Sequence, residues 1–132
     1  MANSNDIIGV DVGGQRVGVA RMSPIAKLPE PLAILKNDEN IFVNLKAVID
    51  KHVSKVVVVG VPHGLNGQIT AQTSLCQDFA TGLQAYLGEN YQVSTYDESL
   101  SSVIARQRYP KAKYVDDHAA AIILEYYAGQ YV

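Results

Sequence analysis

The sequence predicts an α/β protein built on one five-stranded mixed sheet, three antiparallel strands followed by two parallel ones, flanked by helices. Two short runs rich in Val and Ile, joined by Gly13-Gly14, predict an antiparallel hairpin. An unbroken run of four valines, Val56–Val59, is typical of a strand buried on both faces of a parallel sheet. From there strands alternate with helical patterns, which implies right-handed crossovers.

The first half of the chain contains the hairpin, a third strand and one helix. Three prolines between residues 23 and 31 predict a bend, and a short apolar strand follows. Asn37–Asn40 offers helix-capping residues ahead of a segment with apolar residues at helical spacing. The predicted ranges are strands 6–12, 15–22 and 32–35 and a helix at 41–52.

The second half alternates strands with helices. The valine strand ends at Gly60 and a Pro/Gly loop follows; Gly88 ends the long second helix, and Pro110 stops the third. The last helix begins with Asp116-Asp117. The predicted ranges are strands 56–59 and 91–96 and helices at 70–87, 100–109 and 115–128.

Composition predicts one domain, residues 1–132, without a membrane segment. The chain is 48% hydrophobic and 18% charged, and its longest apolar run is far too short to cross a bilayer. The first residues, MANSND, lack the basic and apolar regions of a signal peptide. Cys76 is the single cysteine, which excludes an internal disulfide and favours a cytoplasmic location.

The charge distribution is more informative than the net charge of −2, which argues against coating nucleic acid through bulk electrostatics. No Lys or Arg occurs between Lys55 and Arg106. A basic cluster then follows, and it can contact a phosphate backbone or simply complement the dipole of a helix C-terminus. The cluster consists of Arg106, Arg108, Lys111 and Lys113.

Ligands of such sheets bind outside the carboxyl ends of the parallel strands. That rule selects Asp11 and the Gly13-Gly14 turn, the loop Gly60–Gly67, and Asp97-Glu98. Asp11 is a carboxylate inside a strand, so it either caps the turn or binds a ligand. Gly13 and Gly14 permit close approach of a phosphate or merely turn the chain, and Arg16 can contact phosphate or stay solvated.

Two further carboxylates are predicted near the same edge. We expect Asp97 to cap the following helix, which leaves Glu98 without a structural task. Ser101, with Ser99 and Ser102, can cap that helix or contact phosphate. Asp116 begins a helix whose alanines allow close packing on the sheet, so it can reach the site, although N-capping is its alternative role.

Three carboxylates from separate segments, Asp11, Glu98 and Asp116, therefore converge on one edge. Like charges at one site repel, and a divalent cation is the usual remedy. Oxygen ligands favour Mg²⁺ or Mn²⁺, and the three histidines and one cysteine lack zinc-ligand spacing. Because Mg²⁺ often completes its shell with phosphate oxygens, the predicted substrate is a phosphodiester.

Four segments resemble the YqgF/RuvX family in order and spacing: IIGVDVGGQRVGVA, VVVVGVPHGLNG, YDESLSS and VDDHAAAIIL. The resemblance covers nearly the whole chain and implies a ribonuclease H-like fold and a divalent-metal-dependent nuclease. Members are described as Holliday junction resolvases and as the nuclease that matures the 5′ end of pre-16S rRNA. The implied partner is structured RNA such as pre-rRNA, or branched DNA, bound by a monomer or homodimer.

The resemblance places the family's acidic residues on Asp11, Glu98 and Asp116. Asn66 stands where the family's glycine loop usually has aspartate, which implies a structural or substrate-side role. Two departures concern phosphate contacts. Ser99 replaces an arginine that usually follows the acidic pair, and Gln72 and Gln77 stand where relatives often carry basic residues.

Three alternatives to an RNA-processing nuclease remain at this point. A Holliday junction resolvase performs the same chemistry on branched DNA and should be a dimer. A non-catalytic nucleic-acid-binding module is disfavoured by retention of all three carboxylates. A sugar-kinase or actin-like ATPase shares the hairpin motif but needs two such lobes, and this chain has room for one.

Overall fold

The computed structural model describes residues 5–131 as five strands, four helices and a 3₁₀ turn at Leu65–Gly67. The strands are β1 (Ile7–Val12), β2 (Arg16–Met22), β3 (Glu30–Lys36), β4 (Val56–Val61) and β5 (Gln92–Asp97). The helices are α1 (Ile41–Lys51), α2 (Ala71–Leu87), α3 (Ser101–Arg108) and α4 (Asp116–Tyr131). Residues 1–4 and 132 of the predicted domain lie outside the described range.

The strand order β3-β2-β1-β4-β5 confirms the predicted mixed sheet. β1 and β2 are antiparallel, and β2 pairs in the same sense with β3. β4 is parallel to both β1 and β5, with α2 as the crossover from β4 to β5. The carboxyl ends of β1, β4 and β5 therefore meet at one edge.

The strand boundaries differ from prediction where pairing continues past the apolar residues. β4 extends through Gly60 to Val61, because Val61 still pairs with Asp97 of β5. β3 begins two residues earlier than predicted, at Glu30, which pairs with Arg21 and accepts a hydrogen bond from its guanidinium at 2.9 Å. These extensions depend on pairing with residues of neighbouring strands, which the local sequence pattern does not reveal.

Helices cover both faces of the sheet. On one face α1 and α2 bury the larger core, which includes Val57, Val59 and Leu83. On the other face α4 packs Ile123 and Leu124 against Val58 and neighbouring residues. Alternate valines of β4 thus enter opposite cores, which confirms the prediction from the four-valine run. Within residues 5–131 no helix combines the length and apolarity needed to cross a membrane.

The close approach of α4 to the hairpin depends on small residues. Ala119 and Ala120 are fully buried, and a Cβ added to Gly9 would lie 2.9 Å from the carbonyl oxygen of Ala120. At Gly18 an added Cβ would overlap the carbonyl oxygen of Asp116 and lie 2.7 Å from the amide nitrogen of Asp117. Gly18 is therefore required for the close packing of α4 on β2.

This packing predicts that Gly18→Ala destabilises the protein by about 3 kcal/mol, because the start of α4 must move away from β2. The matched control is Gly14→Ala, since no atom of residues 5–131 lies within 4 Å of a Cβ added there and Gly14 is not in the left-handed region. Urea unfolding followed by circular dichroism measures both. Equal stability of the two variants would contradict the packing role of Gly18.

Candidate active site

A cleft of about 330 Å³ lies at the carboxyl ends of β1, β4 and β5 and is closed on one side by the start of α4. The three predicted carboxylates, Asp11, Glu98 and Asp116, all line it. Two other predicted site residues, Gly13 and Ser101, line it as well. The remaining lining residues are Val12, Gly60, Pro62, Gln72, Cys76, Ser99, Ser102 and Ile123.

Asp11 is the least compensated of the three acids. It lies half-buried near the end of β1, opposite Gly18 of β2. Burial, and secondarily the charge of Asp116, raises the pKa of Asp11 to about 7. None of the described residues donates a hydrogen bond to its carboxylate. A negative charge here lacks a partner among residues 5–131, so the position favours binding a proton or a cation.

Asp116 is held by a cation from the hairpin. The Nε of Arg16 donates to its Oδ2 at 2.8 Å, and the Asp116 side chain is 19% exposed. The Arg16 guanidinium also lies over the ring of Tyr114, 4.0 Å from its centroid. Arg16 is therefore fixed at the cleft edge by an acid and an aromatic ring, rather than freely solvated.

Glu98 forms the hydrogen bond at the start of α3 that the sequence analysis expected of Asp97. Its Oε1 accepts a hydrogen bond from the amide of Leu100 at 2.8 Å, in the turn that leads into α3. The predicted capping role of Asp97 is wrong, because β5 continues through Asp97 and the turn begins one residue later. The Asp97 carboxylate instead lies 2.8 Å from Nδ1 of His63.

The three carboxylates line the same cleft, but their oxygen atoms do not converge on a single metal position. Within the described residues no group of three His, Cys, Asp or Glu side chains is placed to hold a metal ion. The contacts explain this arrangement, since Glu98 is turned toward Leu100 and Asp116 toward Arg16. The donor set nevertheless suits a hard divalent cation, because it consists of carboxylates, and the described part of the chain gives one of them, Asp11, no hydrogen-bond partner.

The basic cluster lies outside the cleft lining. Arg106 donates to the carbonyl oxygen of Ala112 at 2.6 Å, which stabilises the loop after α3. Arg108 forms a two-point ion pair with Glu125 of α4, at 3.0 and 3.3 Å. Lys111 is exposed, and Lys113 is exposed beside the ring of Tyr114. Contact of this cluster with a substrate stays a prediction.

Two other predicted residues lie at turns. Gly14 is exposed in the hairpin turn, where the amide of Gly13 donates to the carbonyl of Arg16 at 2.8 Å. Asn66 is exposed in the 3₁₀ turn, does not line the cleft, and adopts a left-handed backbone with φ of 57°. This conformation gives Asn66 a structural reason to be there, since asparagine tolerates it better than most residues.

The sequence analysis did not predict that Gln72 and Cys76 line the cleft. The side-chain amide of Gln72 donates to the carbonyl of Val12 at 2.8 Å, which ties α2 to the end of β1. Cys76 lies beneath it, and burial followed by the Asp11 charge raises the pKa of its thiol to about 11. This thiol stays protonated and is a packing residue. The available signal was position, since both residues lie near the start of the helix that follows β4.

Comparison of the sequence with known families gives one match to nearly the whole chain. The RuvX family, described as Holliday junction resolvase, matches residues 5–130. Three curated relatives carry the name "Putative pre-16S rRNA nuclease". The Hydrogenovibrio crunogenus protein is 36% identical over 90% of this chain and 90% of its own. The Coxiella burnetii protein is 31% identical over 95% of this chain and 94% of its own. The Sulfurihydrogenibium sp. protein is 27% identical over 92% of this chain and 88% of its own.

Solved structures confirm the ribonuclease H-like fold. RuvC from Thermus thermophilus, solved with a Holliday junction substrate, matches with a TM-score of 0.59 at 13% identity over 96% of both chains. The Fowlpox virus resolvase, solved with Holliday junction DNA, matches with a TM-score of 0.54 at 17% identity over 94% of this chain and 97% of that one. These identities support the fold alone. The near-complete family match and the relatives above 30% identity show that this chain belongs to the RuvX family.

Proposed function

We propose that the chain is a divalent-metal-dependent nuclease that hydrolyses phosphodiester bonds in the 5′-end processing of pre-16S rRNA. The observation that carries this proposal is the convergence of Asp11, Glu98 and Asp116, from three separate segments, on one cleft. The names of relatives that align over nearly the full chain support the substrate.

The cation would be held by the same three carboxylates, which makes them both metal ligands and catalytic residues. Mg²⁺ and Mn²⁺ fit the all-oxygen donor set, and the unpartnered Asp11 is its natural centre. Glu98 and Asp116 have to give up their present contacts with Leu100 and Arg16 to join it. A bound divalent cation supplies Lewis-acid polarisation of the phosphate and lowers the pKa of water.

The chain's own residues position the nucleic acid. The Gly13-Gly14 turn carries no side chains, so a phosphate backbone can approach it closely. Arg16 uses only its Nε on Asp116 among the described contacts, which leaves its terminal nitrogens available as phosphate donors. Ser101 adds a hydroxyl from the first turn of α3.

The partner is structured RNA bound by local rather than net positive charge, since the chain carries −2 overall. Exposed Lys111 and Lys113, with Asn66, are candidate contacts outside the cleft, and Arg106 and Arg108 shape the loop that presents the lysines. We expect the protein to act in the cytoplasm as a monomer or homodimer.

A second candidate is cleavage of Holliday junctions. It is favoured by the description of the matched family, Holliday junction resolvase. A resolvase has to present two sites to one junction. Solution mass, and parallel cleavage of a junction and of a pre-16S leader with Mg²⁺ or Mn²⁺, separate the two activities.

The proposed roles predict that Asp11→Asn, Glu98→Gln and Asp116→Asn each lower cleavage of a pre-16S leader about a hundredfold or more. Each change removes one anionic ligand while keeping the size of the side chain. Gel analysis of the end-labelled leader under single-turnover conditions measures the effect.

The matched control is Asp117→Asn, because Asp117 does not line the cleft and its Oδ1 accepts from the amide of His118. This variant should cleave at close to the wild-type rate. Equal rates for the wild type and all three site variants would exclude the proposed site.

The raised pKa of Asp11 predicts a pH dependence of stability in EDTA. The folded pKa of about 7 exceeds the ordinary aspartate pKa of 3.8, so the folded state binds the extra proton between these values. The Asp11 contribution to the free energy of unfolding should therefore fall as pH rises from about 4 to 7, by at most about 1.4 kcal/mol per pH unit.

Urea unfolding of the wild type and Asp11→Asn between pH 5 and pH 8 tests this dependence, because the amide carries no charge to lose. Mg²⁺ should restore stability to the wild type above pH 7 and have little effect on the variant. Identical pH profiles for the two proteins would contradict the assignment of the unpaired charge to Asp11.

A further inference from the structure

A histidine–aspartate pair, His63 and Asp97, lies at the rim of the cleft, since each residue is next to lining residues without lining the cleft itself. Pro62 and Ser99 line the cleft, and His63 follows Pro62 directly. The Nδ1 of His63 lies 2.8 Å from Oδ1 of Asp97, the residue that ends β5. The pair thus joins the segment after β4 to the end of β5, beside Glu98.

Ser99 fixes the backbone of the same histidine. Its hydroxyl accepts from the amide of His63 at 3.1 Å and donates to the carbonyl of His63 at 3.2 Å. Ser99 stands at the position where the family resemblance leads one to expect an arginine. Backbone and imidazole are both held, although His63 lies in a loop, and its side chain is 22% exposed. This histidine is preorganised and accessible.

The chemistry of the pair selects the kind of group it binds. A carboxylate accepts hydrogen bonds, so in the neutral form of the imidazole the hydrogen lies on Nδ1, beside Asp97, and Nε2 is the acceptor. None of the described residues donates to that Nε2. The Asp97 side chain is 71% exposed and negative, which disfavours a phosphate oxygen. The pair therefore suits a hydroxyl donor.

We propose that Nε2 of His63 accepts a hydrogen bond from a ribose 2′-hydroxyl of the strand bound in the cleft, which makes His63 a specificity residue for RNA over DNA. The inference rests on the proposed function for the position of the strand. Each RNA sugar carries a 2′-hydroxyl close to its phosphate, and DNA has none. A phosphate at the carboxylates places a neighbouring sugar near the rim.

The test combines protein variants with RNA and DNA of the same sequence. Fluorescence anisotropy in EDTA measures binding without cleavage, and end-labelled strands with Mg²⁺ measure cleavage. The wild type should bind RNA up to about tenfold more tightly than DNA through this one hydrogen bond. His63→Ala should bring the ratio close to one by weakening RNA binding alone.

A second variant keeps the imidazole and changes which ring nitrogen carries the hydrogen. In Asp97→Asn the side-chain amide can donate to Nδ1, which moves the imidazole hydrogen to Nε2 and removes the acceptor. This variant should also lose the preference for RNA. The control is His52→Gln. The Nδ1 of His52 lies 3.8 Å from Oδ2 of Asp6, and Asp6 directly precedes β1, at the opposite end of that strand from the cleft. The preference of this control variant should equal that of the wild type.

An unchanged RNA-to-DNA ratio in both His63→Ala and Asp97→Asn would overturn the inference. Equal weakening of RNA and DNA by His63→Ala would also overturn it, since that result assigns the histidine a role that ignores the 2′-hydroxyl. A ratio that depends on His63, in a protein that cleaves neither strand, would support this inference and overturn the proposed nuclease function.

Discussion

The contact between the start of α4 and Gly18 of β2 is the constraint on which the cleft depends. No side chain fits between the strand and the backbone of Asp116, so the first turn of α4 lies directly on the hairpin. Asp11 pairs with Gly18 across the two strands. The same contact therefore places the Asp116 carboxylate close enough to Asp11 to raise its pKa. A bulkier residue at position 18 would separate the two acids.

The cleft concentrates negative charge and compensates it unequally. Arg16 neutralises Asp116, and the amide of Leu100 stabilises Glu98, but Asp11 is left with burial and a like-charged neighbour. These two compensating contacts are polar and partly exposed, so they can exchange for other ligands at modest cost. Among the described residues, no side chain or amide forms such a contact with the Asp11 carboxylate. The proposed divalent cation would relieve this imbalance, which is how the electrostatics of the cleft support the proposed hydrolysis.

The fold followed from local patterns. Four consecutive valines sufficed to predict an internal parallel strand, and the order of strands and helices then defined the edge that carries the cleft. The acids were predictable because Asp11, Glu98 and Asp116 lie at the ends or starts of elements. Their partners were not, since the Arg16 contact joins residues a hundred positions apart. Glu98 rather than Asp97 forms the hydrogen bond at the start of α3, because β5 pairs with β4 for one residue more than predicted, through Asp97.

The central claim is that Asp11, Glu98 and Asp116 together hold a catalytic divalent cation. The most direct measurement is a crystal structure grown with Mn²⁺, with the anomalous signal used to locate the ion. We expect one or two Mn²⁺ ions in the cleft, bonded to carboxylate oxygens of all three residues, with the Leu100–Glu98 and Arg16–Asp116 contacts released. Mn²⁺ bound elsewhere, or an empty cleft at saturating Mn²⁺ with both contacts intact, would contradict it.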